Sequence, residues 1–417
     1  MTSKTLRRMS ALAPAVACAA TLAATPALAT NGYFANGYGG ASKGIAGAGV
    51  AFPTGVLGMA QNPATGVMVG NQWGICLTSF MPKRSYTISP GGPLTVGTQS
   101  SENEFFLIPC GGANFKLSDD STIGVFAFGN GGMNSEYNVN PFAGLGAGTS
   151  PLGVNLEQLF IQVNYAKRID NTFSFGIGPV LAIQRFSATG LEAFEGLTSA
   201  PGFVTGNDDD WSHGFGVNLG ILYQPNAQLT FGAAYRTKIN MKPFDKYRGL
   251  FAEEGDFDIP AMATVGVAYK PATNPKLTLT AEYQRIFYSD VAAISNPNAG
   301  LGGPLGAANG PGFGWTDMDV FRVGASYDVD ERLTVRGGIS HNSEFIDGKD
   351  VAFNILAPAT PTWHASVGAS YKISDRATLT GSYTYAFGDA IEGAGFGNPI
   401  SLEMTQHEVS MGVSWKF

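Results

Sequence analysis

Histidine, aspartate and cysteine are the residues of this chain whose types and spacing could do chemistry, and none assembles a reactive centre. The histidines are His213, His341, His364 and His407, and no two share the spacing that sets a pair of imidazoles on one metal. His341 stands near Ser340 and Ser343 without an acid to orient it, so strand-end placement accounts for it better than nucleophilic catalysis. Asp208-Asp209-Asp210 offers oxygen ligands to a divalent cation, but three consecutive acids in a polar stretch read more simply as a solvated loop. No enzyme, metal site or cofactor is expected. Cys76 and Cys110 sit symmetrically about Pro93, the centre of a long Gly/Pro-rich stretch. Two strands leaving one loop would face them inward and opposite each other, as a cross-strand disulfide or as two free thiols.

The elements that must position these residues are β-strands. The 417 residues are 44% apolar but only 14% charged, with 12% aromatics, 56 glycines and a formal charge of -7. So few charges, acidic on balance, exclude a nucleic-acid binder resting on basic patches. The aromatic content excludes a disordered acidic chain. No stretch reads as a helical membrane span, because Gly, Pro, Asn and Thr interrupt every long uncharged region. A glycine- and aromatic-rich β protein remains.

Residues 1–29 read as a secretory signal: Lys4, Arg7 and Arg8 precede an Ala-rich apolar stretch ending in the small-x-small site Ala27-Leu28-Ala29. A lipoprotein acylated at Cys18 fits the sequence poorly. From Glu408 to Phe417 the odd positions are apolar and the even positions polar or small, the period of a strand with one oily face. Ending on Phe417, with Trp415 two residues before it, resembles the strand by which barrel-assembly machinery recognises bacterial outer-membrane proteins.

Six short turns punctuate the chain, at 117–121, 170–171, 225–226, 271–275, 328–331 and 374–375, most of them preceded by a tyrosine. Asp, Asn and Pro dominate them, each for its own backbone reason. Between them run seven long loops, at 87–103, 137–154, 187–211, 243–257, 288–318, 342–361 and 388–405. Six turns and seven loops imply fourteen strands, and an even count with short turns on one side only is the layout of a transmembrane barrel. Both termini then lie on the periplasmic side. Alternation directs Leu333, Val335 and Ile339 to lipid and Arg332, Thr334, Arg336 and Ser340 to the lumen. An arginine on the lipid face at mid-membrane would cost about 2–4 kcal/mol. Residues 30–71 carry Lys43 as their one charge, are rich in Gly and Ala, and contain Asn62-Pro63-Ala64. They read as a plug, since a lumen of this width needs filling or leaves a channel; a flexible periplasmic tail is the alternative.

The mature chain resembles the FadL-type family of outer-membrane long-chain fatty-acid transporters. The matching features are the Gly-rich N-terminus running into Asn62-Pro63-Ala64, Phe128-Gly129-Asn130-Gly131-Gly132-Met133 ending the third strand, and Gln184-Arg185-Phe186 closing the fifth. Phe321-Arg322-Val323-Gly324 and Leu333-Thr334-Val335-Arg336-Gly337-Gly338-Ile339 follow in the same order. The resemblance implies an all-β fold: a fourteen-stranded barrel over residues 72–417 and an N-terminal hatch of short helices and coil gated at Asn62, Pro63 and Ala64. It also implies passive uptake of hydrophobic molecules, with lateral exit beside a kinked third strand at Gly129, Asn130, Gly131 and Gly132. Arg185 stands where a basic residue would meet a carboxylate, or else forms an ion pair within the barrel wall, while Asp317-Met318-Asp319 replaces a second expected base and leaves neutral alkanes or aromatic hydrocarbons open.

Loops three and four carry more large apolar residues than exposed loops need. Phe194, Leu197, Phe203, Phe244, Leu250, Phe251 and Phe257 are therefore candidates for capturing ligand. The expected partners are outer-membrane lipid, a hydrophobic small molecule and the barrel-assembly machinery, with no nucleic acid and a monomeric state. A diffusion porin and a structural surface protein are the rival readings.

Overall fold

Period-two alternation builds a closed wall in the computed structural model, which describes residues 31–148 and 151–417. The signal-peptide reading lies outside the described residues. Fourteen long antiparallel strands form the barrel. They are β1 (Gln72–Ile88), β2 (Phe106–Lys116), β3 (Ser121–Tyr137), β4 (Leu152–Arg168), β5 (Phe173–Thr189), β6 (Asp210–Tyr223) and β7 (Leu229–Arg236). The second half comprises β8 (Met262–Tyr269), β9 (Leu277–Ile286), β10 (Met318–Asp328), β11 (Leu333–Asn342), β12 (Trp363–Lys372), β13 (Ala377–Phe387) and β14 (Asn398–Lys416). β14 pairs with β1 from Gln72↔Lys416 to Ile88↔Ile400, so the last strand closes onto the first.

The wall is apolar outside and polar inside. Ile75, Leu77, Val265, Val323, Val335, Ile339, Val367 and Met411 are exposed on the outer face. Thr78, Asn114, Gln162, Asn164, Asn218, Glu282 and Arg322 are buried within. Such an outer band belongs against lipid. The six tight connections all link consecutive long strands, and the seven long ones lie at the other end. At the last loop the structure departs from expectation. Ile391–Gly395 pairs with the start of β14 across Phe396-Gly397, both at positive φ (51° and 83°), a two-residue hairpin inside a stretch whose glycines read as loop. Loop four, conversely, opens earlier than expected because β7 stops at Arg236.

Residues 31–71 run inside this wall through short helices, α1 (Gly40–Lys43) and α2 (Gly66–Val69), joined by 3-10 turns. A segment with so little regular structure leaves backbone carbonyls unpaired, and buried ones require partners. The inward amides supply them. Asn218 donates to the Ala60 carbonyl at 2.8 Å, Asn164 to Met59 at 3.0 Å, and Asn114 to Gly66 and Gly70 at 3.1 and 2.8 Å. Two buried ion pairs add to this. Lys43 meets Glu408 of β14. Arg322 meets Glu282 at 2.8 Å and donates to Asn36, while Glu282 accepts from the Val50 amide.

Candidate functional site

The barrel wall breaks at one place, and the sequence of β3 explains why. β2 pairs with β3 only from Lys116↔Thr122 to Cys110↔Phe128. Beyond that point β2 continues beside β1, from Leu77↔Pro109 to Phe80↔Phe106, while β3 departs. Pro109, which has no N–H to donate, marks the place where β2 loses its neighbour. On the far side, β3 carries a bulge: Gly129 opposes Leu159 and Gly131 opposes Gln158, leaving Asn130 extra. The extra residue shifts the facing, so that even positions point inward below it and odd positions, such as Met133, Ser135 and Tyr137, above. Higher still, the Glu102 amide donates to the Glu136 carbonyl at 2.9 Å and rejoins the two sides. The result is a window between β2 and β3.

The N-terminal segment occupies its inner sill. The Ala35 amide donates to the Asn130 carbonyl at 3.0 Å and the Gly132 amide to the Tyr33 carbonyl at 3.1 Å, so Tyr33–Ala35 lies against the freed edge of β3. The Asn130 side chain is buried and tied on three sides, accepting from Arg236 and Tyr38 at 3.0 Å each and donating to Gln158 at 2.9 Å. Arg236 lies over the rings of Phe34 and Phe160, 5.0 and 4.9 Å from their centroids. Gly129, Asn130, Gly131 and Gly132 are thus together at the bulge. Asn62, Pro63 and Ala64 lie elsewhere, against β5 and β6: Asn62 donates to the Val50 and Ile221 carbonyls, and Pro63 and Ala64 pack on Gly176.

Above the sill is a narrow apolar cleft with about 40 Å³ of free space. Met133 of β3, Leu156 of β4, Phe186 of β5 and Leu250, Phe251 and Phe257 of loop four line it, with Leu305 and Phe313 of loop five and Phe353 and Leu356 of loop six. No charged side chain does. Phe186 and Phe257 each lie 4.7 Å from the Phe251 ring, and Phe257 lies 6.2 Å from Tyr33, which links the cleft to the sill. The remaining loop candidates stand apart from it. Phe244 backs Phe186 at 5.6 Å, and Phe194 packs behind Phe353 at 5.3 Å. Phe203 lies beneath the Arg248 guanidinium, and Leu197 is exposed. Loops five and six escaped the sequence reading although Phe313-Gly314-Trp315 and Phe353 to Leu356 are apolar runs. Tyr33 and Phe34 escaped it too, although they are large rings in a segment of small residues.

Arg185 does not meet the lumen. In β5 the even positions Gln184 and Phe186 point inward, so Arg185 points outward, where it pairs with Glu157 and with Asp209 at 3.0 Å and lies over Trp211. Its charge is matched on the outer rim, by the ion pair within the wall that is the second of its two expected placements. Asp209 is committed to Arg185, and Asp210 accepts from the Lys246 amide at 2.8 Å. Among the described residues no group of acids, histidines or cysteines is arranged to hold a metal. In loop four, burial and the neighbouring Asp258 carboxylate push the Asp256 carboxyl up to about 7, against the opposing charge of Lys238. Cys76 and Cys110 are direct register partners with Cα atoms 5.0 Å apart, placed as a disulfide.

A family model described as outer membrane protein transport protein (OMPP1/FadL/TodX) matches residues 16–395. The chain is 22% identical over 323 residues to outer membrane protein P1 of Haemophilus influenzae, covering 69% of this chain and 66% of that one. It is 23% identical over 316 residues to a long-chain fatty acid transport protein of Salmonella typhi, covering 66% and 68%. The matches span about two thirds of those relatives' lengths. Among solved structures, the toluene transporter TodX of Pseudomonas putida superposes with a TM-score of 0.69 at 17% identity, over 92% of this chain and 99% of that one. A FadL homologue of Pseudomonas aeruginosa gives 0.70 at 16%, over 93% and 100%. At these identities the likeness is one of fold.

Proposed function

The chain belongs to the outer membrane protein transport family (OMPP1/FadL/TodX), and from that membership we propose that it carries hydrophobic compounds passively into the outer membrane. The compound enters the apolar cleft under the extracellular loops, passes Tyr33 and Phe34, and leaves sideways through the window into lipid. The observation that carries this reading is the end of the β2–β3 ladder at Cys110↔Phe128, beneath a bulge whose strand also lines the cleft through Met133. An apolar solute gains about 25 cal/mol per Å² removed from water, so a path that stays greasy from cleft to bilayer needs no watery pore. Residues 31–71 act as the plug that closes the axial route, with Tyr33–Ala35 as the part next to the exit. The uncharged, apolar lining of the cleft and the outward Arg185 favour neutral hydrocarbons over a carboxylate head. The protein works as a monomer, and its C-terminal strand addresses it to the barrel-assembly machinery.

Binding of a neutral aromatic hydrocarbon and of a long-chain fatty acid in detergent, paired with uptake into proteoliposomes, tests the scheme. Phe257→Ser should weaken hydrocarbon binding about tenfold or more, whereas Arg185→Ala should leave it unchanged. Deleting Asn130 removes the bulge, so binding should survive while uptake falls. Undiminished uptake in that deletion would rule out the lateral route. Binding of neither compound, with steady ion conductance in planar bilayers, would make the protein a diffusion porin.

A further inference from the structure

A second cavity lies at the opposite end of the barrel and has the opposite chemistry. It offers about 240 Å³ between the wall of β1 and β11–β14 and the N-terminal segment at residues 39–41 and 53–57, and opens to solvent. Arg332, Arg336, Lys372 and Lys416 line it, and no aspartate or glutamate does. Arg336 is the most enclosed of the four: it donates to the Ser370 hydroxyl at 2.6 Å, and its buried Nε has no partner. Among the described residues none of the four is ion-paired; of the deeper inward cations, Lys43 and Arg322 are paired, while Arg84 and Arg236 are not. The exposed Asp328 carboxylate at the rim accepts from Thr334, another lining residue, at 2.7 Å, and so tempers the field without occupying the space.

We propose that this vestibule binds a small soluble oxyanion, a phosphate or a carboxylate, from the periplasmic side. Four cations converging on one recess repel one another, and an anion among them removes that cost. The Arg336 guanidinium beside the Ser370 hydroxyl, in a recess that Arg332, Lys372, Lys416 and Thr380 also line, offers the charge-assisted hydrogen bonds such an ion needs. The recess lies inside the ring of strands, where bilayer head groups do not reach. Its far wall is the N-terminal segment, so a bound anion bridges that segment to the barrel. An anion that binds only this arrangement stabilises it in proportion to its occupancy.

Titrating inorganic phosphate into the detergent-purified protein at low ionic strength tests the site, with calorimetry for binding and hydrogen exchange for residues 39–57. Saturable binding is expected, with slower exchange at 39–57 when phosphate is present. Arg336→Gln should weaken binding about tenfold. Lys372→Gln, at the exposed rim, should weaken it as well and covers the case in which Arg336→Gln fails to fold. Lys270→Gln, on a periplasmic turn outside the cavity, should bind as the wild type does. No saturable binding to the wild type, or equal weakening by Lys270→Gln, overturns the proposal.

Discussion

Gly131 shows how one missing side chain sets the contact at the window. A Cβ there would fall 1.7 Å from the Tyr33 carbonyl oxygen, so two backbones meet where no other residue fits. Gly131→Val should therefore push Tyr33–Ala35 off β3. Overpacking of this kind costs about 1–3 kcal/mol, small against the whole barrel but large for a few hydrogen bonds. Hydrogen exchange at the Ala35 and Gly132 amides should accelerate while the folded barrel keeps its heat-modifiable migration on gels. Unchanged exchange would mean that these hydrogen bonds survive and the contact absorbs the added side chain. Arg236 and Asn130 work at the same scale, since a buried guanidinium hydrogen-bonded to the bulge side chain and laid over Phe34 fixes the kink and the segment together.

Among the elements, loop four carries the pH response. Its Asp256 carboxyl is held up to about 7 by burial and by Asp258. The folded loop therefore binds the proton more tightly than the unfolded chain does. That contribution to stability is fully present below the ordinary carboxylate range and is lost as pH rises through about 7. Exchange protection of residues 250–258, corrected for intrinsic rates, should fall between pH 5 and pH 8, and Asp256→Asn should flatten the response. The strands and turns were legible in the sequence because alternation and Asp/Asn/Pro punctuation are local signals. The facing of Arg185 was not: Val180-Leu181-Ala182-Ile183 is apolar on both faces and Gln184-Arg185 polar on both, so alternation lapses there. The final hairpin was hidden for a related reason, since Gly393, Gly395 and Gly397 serve strand and loop alike. The cleft was half legible. Its loop-four residues stood out in sequence, whereas its loop-five and loop-six walls became partners only through the closure of the barrel.

For the whole molecule, Cys76 and Cys110 stand at a junction. Cys110 is the last residue of β2 that pairs with β3, and it is also the register partner of Cys76 on β1. A bridge here fastens the β2 side of the window to the body of the barrel and leaves β3 as the side free to move. Non-reducing mass spectrometry of alkylated protein should recover the linked peptides. Reduction should cost about 2–4 kcal/mol of stability, read as earlier unfolding in denaturant. Free alkylated thiols at both positions would remove the bridge.

The contact between Lys43 and Glu408 also bears on the order of assembly. Glu408 belongs to the final strand, which seals the cylinder by seventeen register pairs with the first, and Lys43 belongs to some of the earliest residues of the described chain. A cylinder zipped shut around nothing would bury a lone carboxylate in its wall, and an early segment waiting inside an open sheet would lack its anchor. The first described segment and the last strand thus each hold the other's buried counter-charge.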